Sequence, residues 1–199
     1  WWIEGRGLLV LFTKYTAGRE LYWLFSRNGM TSSFSPNGKS RWYNDNRLAG
    51  IGGHYQTSAQ VGGSVITAFN VHPDGNSDAR TNLYYLRTDD CGLAWRNHLG
   101  ESVKTPLDRI HNAALVRDYL SENRLVYIHD LNLDRRGRPL ILYTTSAYHE
   151  AGPRGDPRWW TVAHWNGAEW DYTEVTRANH NYTAGSIYVE DGLWRIIGP

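Results

Sequence analysis

Thr88-Asp89-Asp90-Cys91-Gly92-Leu93-Ala94-Trp95 is the stretch on which the fold turns. An aspartate side chain can bind backbone N–H groups of its own hairpin, and the glycine takes a conformation closed to other residues. The tryptophan is then free to pack inward. Working upstream, Asn82 to Thr88 is a strand rich in aromatic residues. Ser64 to His72 is β-branched and aromatic, and Pro73-Asp74-Gly75-Asn76 stops it with turn chemistry. His54 to Val61 alternates and meets Gly62-Gly63, a dipeptide suited to a two-residue hairpin turn. With Ala94 to Asn97 as a fourth strand, the residues from Gly52 onward form one closed four-strand unit.

The rest of the chain reads as imperfect copies of that unit. Gly7 to Lys14 and Glu20 to Ser26 are strands linked through Ala17-Gly18-Arg19. Ser26-Arg27-Asn28-Gly29 with Phe34 is a degenerate closing turn, and Arg41-Trp42-Tyr43 supplies an outer strand. This copy is expected to lack its first strand. A loop follows from His98 through Pro106, with a short helix expected near Asn112 to Leu120. Arg124 to Asp134 and Arg138 to Ser146, joined by Arg135-Arg136-Gly137, open another copy. Its third strand is Arg158 to Trp165, and Trp165-Asn166-Gly167-Ala168-Glu169-Trp170 repeats the turn-then-tryptophan ending. His180 to Trp194 opens one more. Phe34, Trp95 and Trp170 recur at intervals of roughly 60 to 75 residues, which fits blades carrying inserted loops.

The expected fold is therefore all-β: one β-propeller domain over residues 1–199 with four-stranded antiparallel blades near 1–50, 51–105 and 121–177, and the start of another at 178–199. A β-sandwich of similar strands is the alternative, but it does not account for the recurring turn-tryptophan endings. About three blades cannot close a ring, and both ends fall within blades, so a partial propeller is expected from a longer sequence.

Composition narrows the function. Lys and Arg number 21 against 20 Asp and Glu, so no basic footprint points to nucleic acid. The longest apolar run, Leu8 to Phe12, is far short of the roughly 20 residues that span a bilayer as a helix. Neither a nucleic acid nor a membrane is an expected partner. Cys91 is the one cysteine and reads as an ordinary thiol at a turn position that accepts any residue. The 10 tryptophans and 13 tyrosines serve sheet packing and also suit stacking on sugar rings.

In a propeller the first strand of each blade lines the central channel, and sites gather where those strands and their loops reach one face. His54 starts such a strand, and His72 ends its antiparallel neighbour, so the hairpin returns both imidazoles to one rim. One can carry a proton while the other donates to a charged group; the plainer reading makes both rim residues bonded to loops. Tyr127 takes the corresponding place in the next blade, and His180 and Tyr182 recur near it in the fourth. Asp130, Asn132 and Asp134 alternate along one strand face and read as solvated or turn-bonded rather than as a cation site. Asn181-Tyr182-Thr183 is a glycosylation sequon with meaning only in a eukaryotic secretory route.

The closing stretch fits S/T-x-D-x-G-x-x-W at every fixed position and so resembles the Asp-box of sialidase-like propellers. Gly52-Gly53-His54-Tyr55-Gln56, Ala68-Phe69-Asn70-Val71-His72-Pro73, Arg80-Thr81-Asn82-Leu83-Tyr84-Tyr85, and His180-Asn181-Tyr182 with Gly185-Ser186 resemble the BNR-4 repeat proteins. That family includes propeller polysaccharide lyases such as ulvan lyases and rhamnose–glucuronate lyases, and the likeness covers nearly the whole chain. It implies a site made of a histidine pair, a tyrosine on the next blade and an arginine about sixteen residues after that tyrosine. His54, His72 and Tyr127 match. The sixteenth position after Tyr127 is Tyr143, not a cation, and although Arg135 follows Tyr119 at the same distance, that pair joins a loop to a turn. Arg80 or Arg138 is left to fill the place, unless the fold has been kept without the activity.

The chemistry that the resemblance implies is β-elimination at a uronic acid. A base removes the proton α to the carboxylate, a cation stabilises the enolate, and an acid protonates the leaving oxygen. His54 or Tyr127 would move protons and His72 would hold the carboxylate. Gln56, Asn70, Arg80, Arg138, His180 and Tyr182 would bind substrate. The implied partner is an acidic polysaccharide or oligosaccharide, no cofactor is required for catalysis, no residue is assigned to a metal, and the location is secreted or periplasmic. Two other classes stay open: a sialidase-like hydrolase, for which no arginine triad with a tyrosine nucleophile stands out, and a carbohydrate-binding propeller without catalysis.

Overall fold

The fold is that of a computed structural model, which describes residues 1–15, 18–29 and 46–199. It is all-β. The first blade contains β1 (Trp2–Ile3), β2 (Gly7–Tyr15), β3 (Arg19–Ser26) and β4 (Arg47–Ala49), paired in that order. The second runs through β5 (Gln56–Val61), β6 (Ser64–Val71), β7 (Thr81–Thr88), β8 (Trp95–Arg96) and β9 (Ser102–Val103), and β10 (Leu115–Arg117) adds to β7. The third holds β11 (Leu125–Leu133), β12 (Pro139–Ser146), β13 (Trp159–Trp165) and β14 (Trp170–Arg177). The hairpin of β15 (Ser186–Glu190) and β16 (Leu193–Ile197) opens a fourth. Neighbouring strands within each sheet pair antiparallel.

The burial pattern explains why the sheets stack face to face. Every residue of β6 is buried, so the strand is covered on both faces rather than on one. Alternation sorts its side chains between two cores. Val65, Phe69 and Val71 join Leu9, Leu21 and Trp23 of the first blade, while Ile66 and Ala68 join Val126, Ile141 and Tyr143 of the third. β12 repeats the device: Ile141 and Tyr143 face the second blade, and Leu140 and Leu142 face Trp160 and Ile187 toward the fourth. A blade with apolar residues on both faces is stable only between two others.

The closing turn is built as its residue types require. The Thr88 hydroxyl accepts from Gly92 N–H at 2.8 Å, and Asp90 Oδ1 accepts from Ala94 N–H at 2.9 Å and from the Thr88 hydroxyl at 2.9 Å. Cys91 and Gly92 both have positive φ, 62° and 94°. A Cβ on Gly92 would lie 2.5 Å from the Trp23 ring, so this glycine is required by space as well as by conformation. Trp95 is 2% exposed in the core between the first two blades. In the third blade Asn166 takes the aspartate's part, accepting from Ala168 and Glu169 N–H at 2.8 and 3.0 Å. Trp170 then packs on His98 and Tyr85 of the second blade.

Three local expectations are corrected. Asn112 to Leu120 is not a helix. Its Asn112 side chain caps Ala114 N–H at 2.9 Å, and Leu115–Arg117 pairs with β7, whose edge beside Leu83 and Tyr84 β8 leaves free. The first blade does have a first strand, the two residues of β1, with Trp2 opposite Leu8. The loop from His98 to Pro106 contains β9, paired with β8. Phe34 and Arg41-Trp42-Tyr43, like Ala17, lie outside the described residues. No helix among the described residues is long and apolar enough to cross a membrane.

Candidate functional site

The hairpin of β5 and β6 and the connection that follows it bring the candidate residues together. Gly53 and His72 form an isolated antiparallel bridge, with His72 N–H donating to Gly53 O at 2.6 Å. A Cβ on Gly53 would stand 2.5 Å from His72 Nδ1, and one on Gly52, at φ 95°, would run into the His72 carbonyl. The glycine pair thus exists to let the histidine in close. Two short 3₁₀ turns, Pro73–Gly75 and Ser77–Ala79, carry the chain on to Arg80. Asn70 clamps the arrangement, accepting from Tyr55 N–H and donating to Val126 O of the third blade, both at 2.9 Å.

Arg80 is the centre of the site. It is 5% exposed, and its guanidinium carbon lies 4.8 Å from the Tyr55 ring centroid, 4.7 Å from that of Tyr127 and 5.5 Å from that of Tyr182. Three electron-rich faces stabilise the cation without neutralising it. Nε donates to Ser77 O at 2.5 Å and Nη2 to the Tyr182 hydroxyl at 3.2 Å. Of the five N–H donors on a guanidinium, the others have no protein acceptor among the described residues. Nor does any carboxylate there come within ion-pair distance of it. Arg80 lines a cavity of about 300 Å³ together with Tyr55, Asn70, Tyr127, His129 and Asn181. Tyr182, 61% exposed, stands at its rim.

Tyr127 lies between the cavity and a buried network. Asn181 Nδ2 donates to its hydroxyl at 2.9 Å. Burial raises the Tyr127 pKa above its ordinary value, opposed by the nearby Arg80 charge and by the Asn181 donor, so Tyr127 is a phenol at neutral pH and a competent proton donor. His129, two residues along β11, was not singled out from sequence. Its Nε2 pairs with the Thr144 hydroxyl at 2.9 Å, Nδ1 faces Gly185 N–H at 3.4 Å, and burial lowers its pKa to about 4.

His54 and His72 lie at the same end of the blade, yet both are 0% exposed and neither lines the cavity. His54 Nδ1 bonds Asn70 O at 2.7 Å. The His72 ring meets Tyr55 edge-on with centroids 4.6 Å apart, so Tyr55 stands in contact with both His72 and Arg80. Burial lowers the His54 pKa to about 4, and burial together with the charges of Arg80 and Arg19 and the neighbouring His54 lowers that of His72 to about 3. Both rings are neutral at pH 7.

The remaining candidates divide. Asn70, Arg80 and Tyr182 reach the cavity. Gln56 accepts from the Thr67 hydroxyl at 3.3 Å within the β5–β6 ladder and does not line it. His180 is exposed, bonded to Tyr182 N–H at 3.1 Å and tilted against its ring. Arg138 belongs to the other end of the third blade, beside Gly167 where β11 turns into β12, roughly 20 Å along the strands from Tyr127 at the usual rise per residue. Tyr143, sixteen residues after Tyr127, is buried with its hydroxyl 2.6 Å from that of Tyr119; the cation beside Tyr127 comes from the second blade instead. Arg135 is exposed on the β11–β12 turn near Asp191 and does not meet Tyr119.

Three other readings have outcomes in the structure. Asp130 accepts from Ile187 N–H at 3.0 Å, and Asp134 holds the turn through Arg136 and Arg138 N–H. No group of three or more metal-ligating side chains occurs among the described residues. Asn181 of the sequon is 1% exposed with its amide fully engaged.

The model of the BNR repeat-containing family matches residues 14–178. No curated protein sequence matches the chain. Among solved structures, an ulvan lyase of a polysaccharide lyase family, bound to a GlcA(1-4)Rha3S repeat, superposes with a TM-score of 0.59 at 16% identity, covering 90% of this chain. The same kind of lyase without the sugar gives 0.58 at 15% identity, again over 90% of this chain. The chain spans 46% of the length of each. At these identities the likeness establishes the shared fold, here three blades and part of a fourth.

Proposed function

The chain belongs to the BNR repeat-containing family, and from that premise we propose that it carries the uronate-binding part of a polysaccharide lyase. The observation that supports this reading is Arg80: an almost fully buried cation, held by three tyrosine rings and paired with no carboxylate among the described residues. Such a group is a binding site for an anion. A uronate carboxylate suits it, because its two oxygens match the guanidinium fork while the flanking tyrosines pack on the sugar ring.

The reaction follows from what stands beside that cation. With the carboxylate on Arg80, the charge that develops on losing the α proton stays opposite the guanidinium. Tyr127, ionised in the reacting complex, takes the α proton; the electron pair of the broken C–H bond forms the ring double bond as the β C–O bond breaks, and the leaving oxygen takes that proton from the Tyr127 hydroxyl so formed, which leaves the tyrosinate ready for the next sugar. No water is added. The resemblance gives His54 and His72 proton transfer and carboxylate contact. In this proposal they are neutral supports that hold Tyr55 and the end of the β5–β6 hairpin against Arg80, since neither reaches the cavity surface.

Calorimetric titration of the intact protein with a glucuronate oligosaccharide, and with the same sugar carboxyl-reduced, tests the premise. Arg80→Met should weaken binding of the acid roughly 10- to 100-fold, the range of a charge-assisted pair, and leave the reduced sugar unaffected. Equal loss for both sugars contradicts the assignment.

A further inference from the structure

The buried side of the site holds a hydrogen-bond relay whose direction is fixed by chemistry. Arg158 is 1% exposed and lies immediately before β13. Its Nη1 donates to Gly152 O at 2.7 Å and to Asp156 at 2.9 Å, its Nη2 to Glu150 O, and its Nε to Asn181 Oδ1. A guanidinium has donors only, so the Asn181 atom facing it must be the carbonyl oxygen. The other end of that amide faces His149 O at 2.7 Å, Tyr127 Oη at 2.9 Å and Tyr148 O at 3.2 Å. Two of these three are backbone carbonyls and can only accept. The amide is therefore fixed from both ends, its NH₂ must donate to Tyr127, and the Tyr127 oxygen is an acceptor on its buried side.

We propose that Arg158, acting through Asn181, is a positioning residue that holds the Tyr127 hydroxyl with its own hydrogen directed into the cavity. The inference rests on the reading of Tyr127 as the proton carrier. Because the buried side of the phenol oxygen is filled by a donor, its hydrogen has no protein acceptor among the described residues, and Tyr127 forms part of the cavity wall. The hydrogen is thus presented to a bound sugar, and once it has left, the Asn181 donor remains to stabilise the tyrosinate. The same relay carries further: Arg158 binds three groups of the 150–156 loop, so that loop and the proton carrier are held by one side chain. Asn181 belongs to the segment entering the fourth blade, so the relay also ties that segment to the third.

The test is the ionisation of Tyr127 in the intact protein, followed by NMR with ring-labelled tyrosine and assigned by its absence in Tyr127→Phe. Asn181→Asp, which turns the donor into an anion, should lower the Tyr127 acid dissociation constant at least about tenfold. Arg158→Gln, which frees the amide to rotate, should lower it less, and Arg158→Lys, which keeps a charged donor, should restore much of the wild-type value. A purely structural role would change thermal unfolding and leave this titration in place. An unchanged titration in folded Asn181→Asp overturns the proposal, and if that variant does not fold, indistinguishable titrations in Arg158→Gln and wild type do so. Turnover on a glucuronate polymer is read separately: kcat should fall about 10²-fold in Asn181→Asp with KM within a few-fold, and a defect confined to a raised KM counts against it. A wild-type protein that makes no unsaturated uronate refutes the lyase reading, while the NMR titration still decides the relay.

Discussion

Lowering the pH from about 7.5 to about 5 should destabilise the fold chiefly through His54, His72 and His129, with His98, whose pKa burial also lowers, adding in the same direction. His54 and His72 are fully buried, and His129 is largely enclosed at the cavity. Their pKa values are lowered to about 4, about 3 and about 4 by burial, and for His72 also by Arg80, His54 and Arg19. The unfolded chain takes up protons near pH 6.5 that the folded chain refuses, so between roughly 6.5 and 4 the unfolded state binds more protons and stability falls as pH falls. At about pH 5 each unfolded histidine has gained about 2 kcal/mol that its folded counterpart has not. The three together make an effect on the order of 6 kcal/mol, a large fraction of a domain's stability. Structural carboxylates such as Asp89 and Asp134, whose pKa values are lowered, add to the loss only below about pH 4, so this window isolates the histidines. Urea unfolding followed by tryptophan fluorescence across it measures the slope. His129→Gln should flatten its share by about 2 kcal/mol. A midpoint that does not move between about pH 7.5 and 5 would refute the assignment of neutral buried rings.

Two further perturbations address the blade itself. Gly92→Ala forces a Cβ to within 2.5 Å of the Trp23 ring at φ 94°, and should cost about 3 kcal/mol from strain and overpacking together, read as a lowered unfolding midpoint; an unchanged midpoint would mean that the closing turn is not held as described. Asn70→Ala strips partners from Tyr55 N–H and Val126 O and should cost roughly 2–4 kcal/mol for two orphaned buried groups. Hydrogen exchange should accelerate at those two positions before it does in the β6–β7 ladder, and uniform protection would contradict the clamp.

The fold was legible because it is written locally. Thr88, Asp90, Gly92 and Trp95 specify one turn, and the β-branched and aromatic residues of Ser64–Val71 and Pro139–Ser146 mark strands, which the structure buries on both faces. The strand at Leu115–Arg117 was not legible, because a three-residue partner on a free edge carries no periodicity of its own and depends on how far β8 reaches along β7. The site was legible in part. Strand order places Tyr127 and His72 at one end of neighbouring blades, but side-chain depth is decided by the neighbouring blade, and spacing does not reveal that Tyr55 covers His72 and keeps it from the cavity. Sixteen residues after Tyr127 the sequence has Tyr143, a core residue, whereas the cation beside Tyr127 is Arg80, forty-seven positions earlier, brought there by the contact between two blades. His129 does carry a signal in the sequence, lying two residues from Tyr127 on the same strand. Asn181 and Arg158 carried none, because an amide between an arginine and a tyrosine is visible only once the chain has folded.

Uronate binding and elimination at the Arg80–Tyr127 site, as proposed, are tested together in one assay. The direct measurement incubates the intact protein with a glucuronate-containing polysaccharide and follows ultraviolet absorbance and reducing ends in the same sample, beside Tyr127→Phe. The expected result is one conjugated unsaturated uronate for each new reducing end, and a loss of roughly 10²-fold or more in rate when the tyrosine hydroxyl is removed. New reducing ends without absorbance would show that water is added and would contradict it.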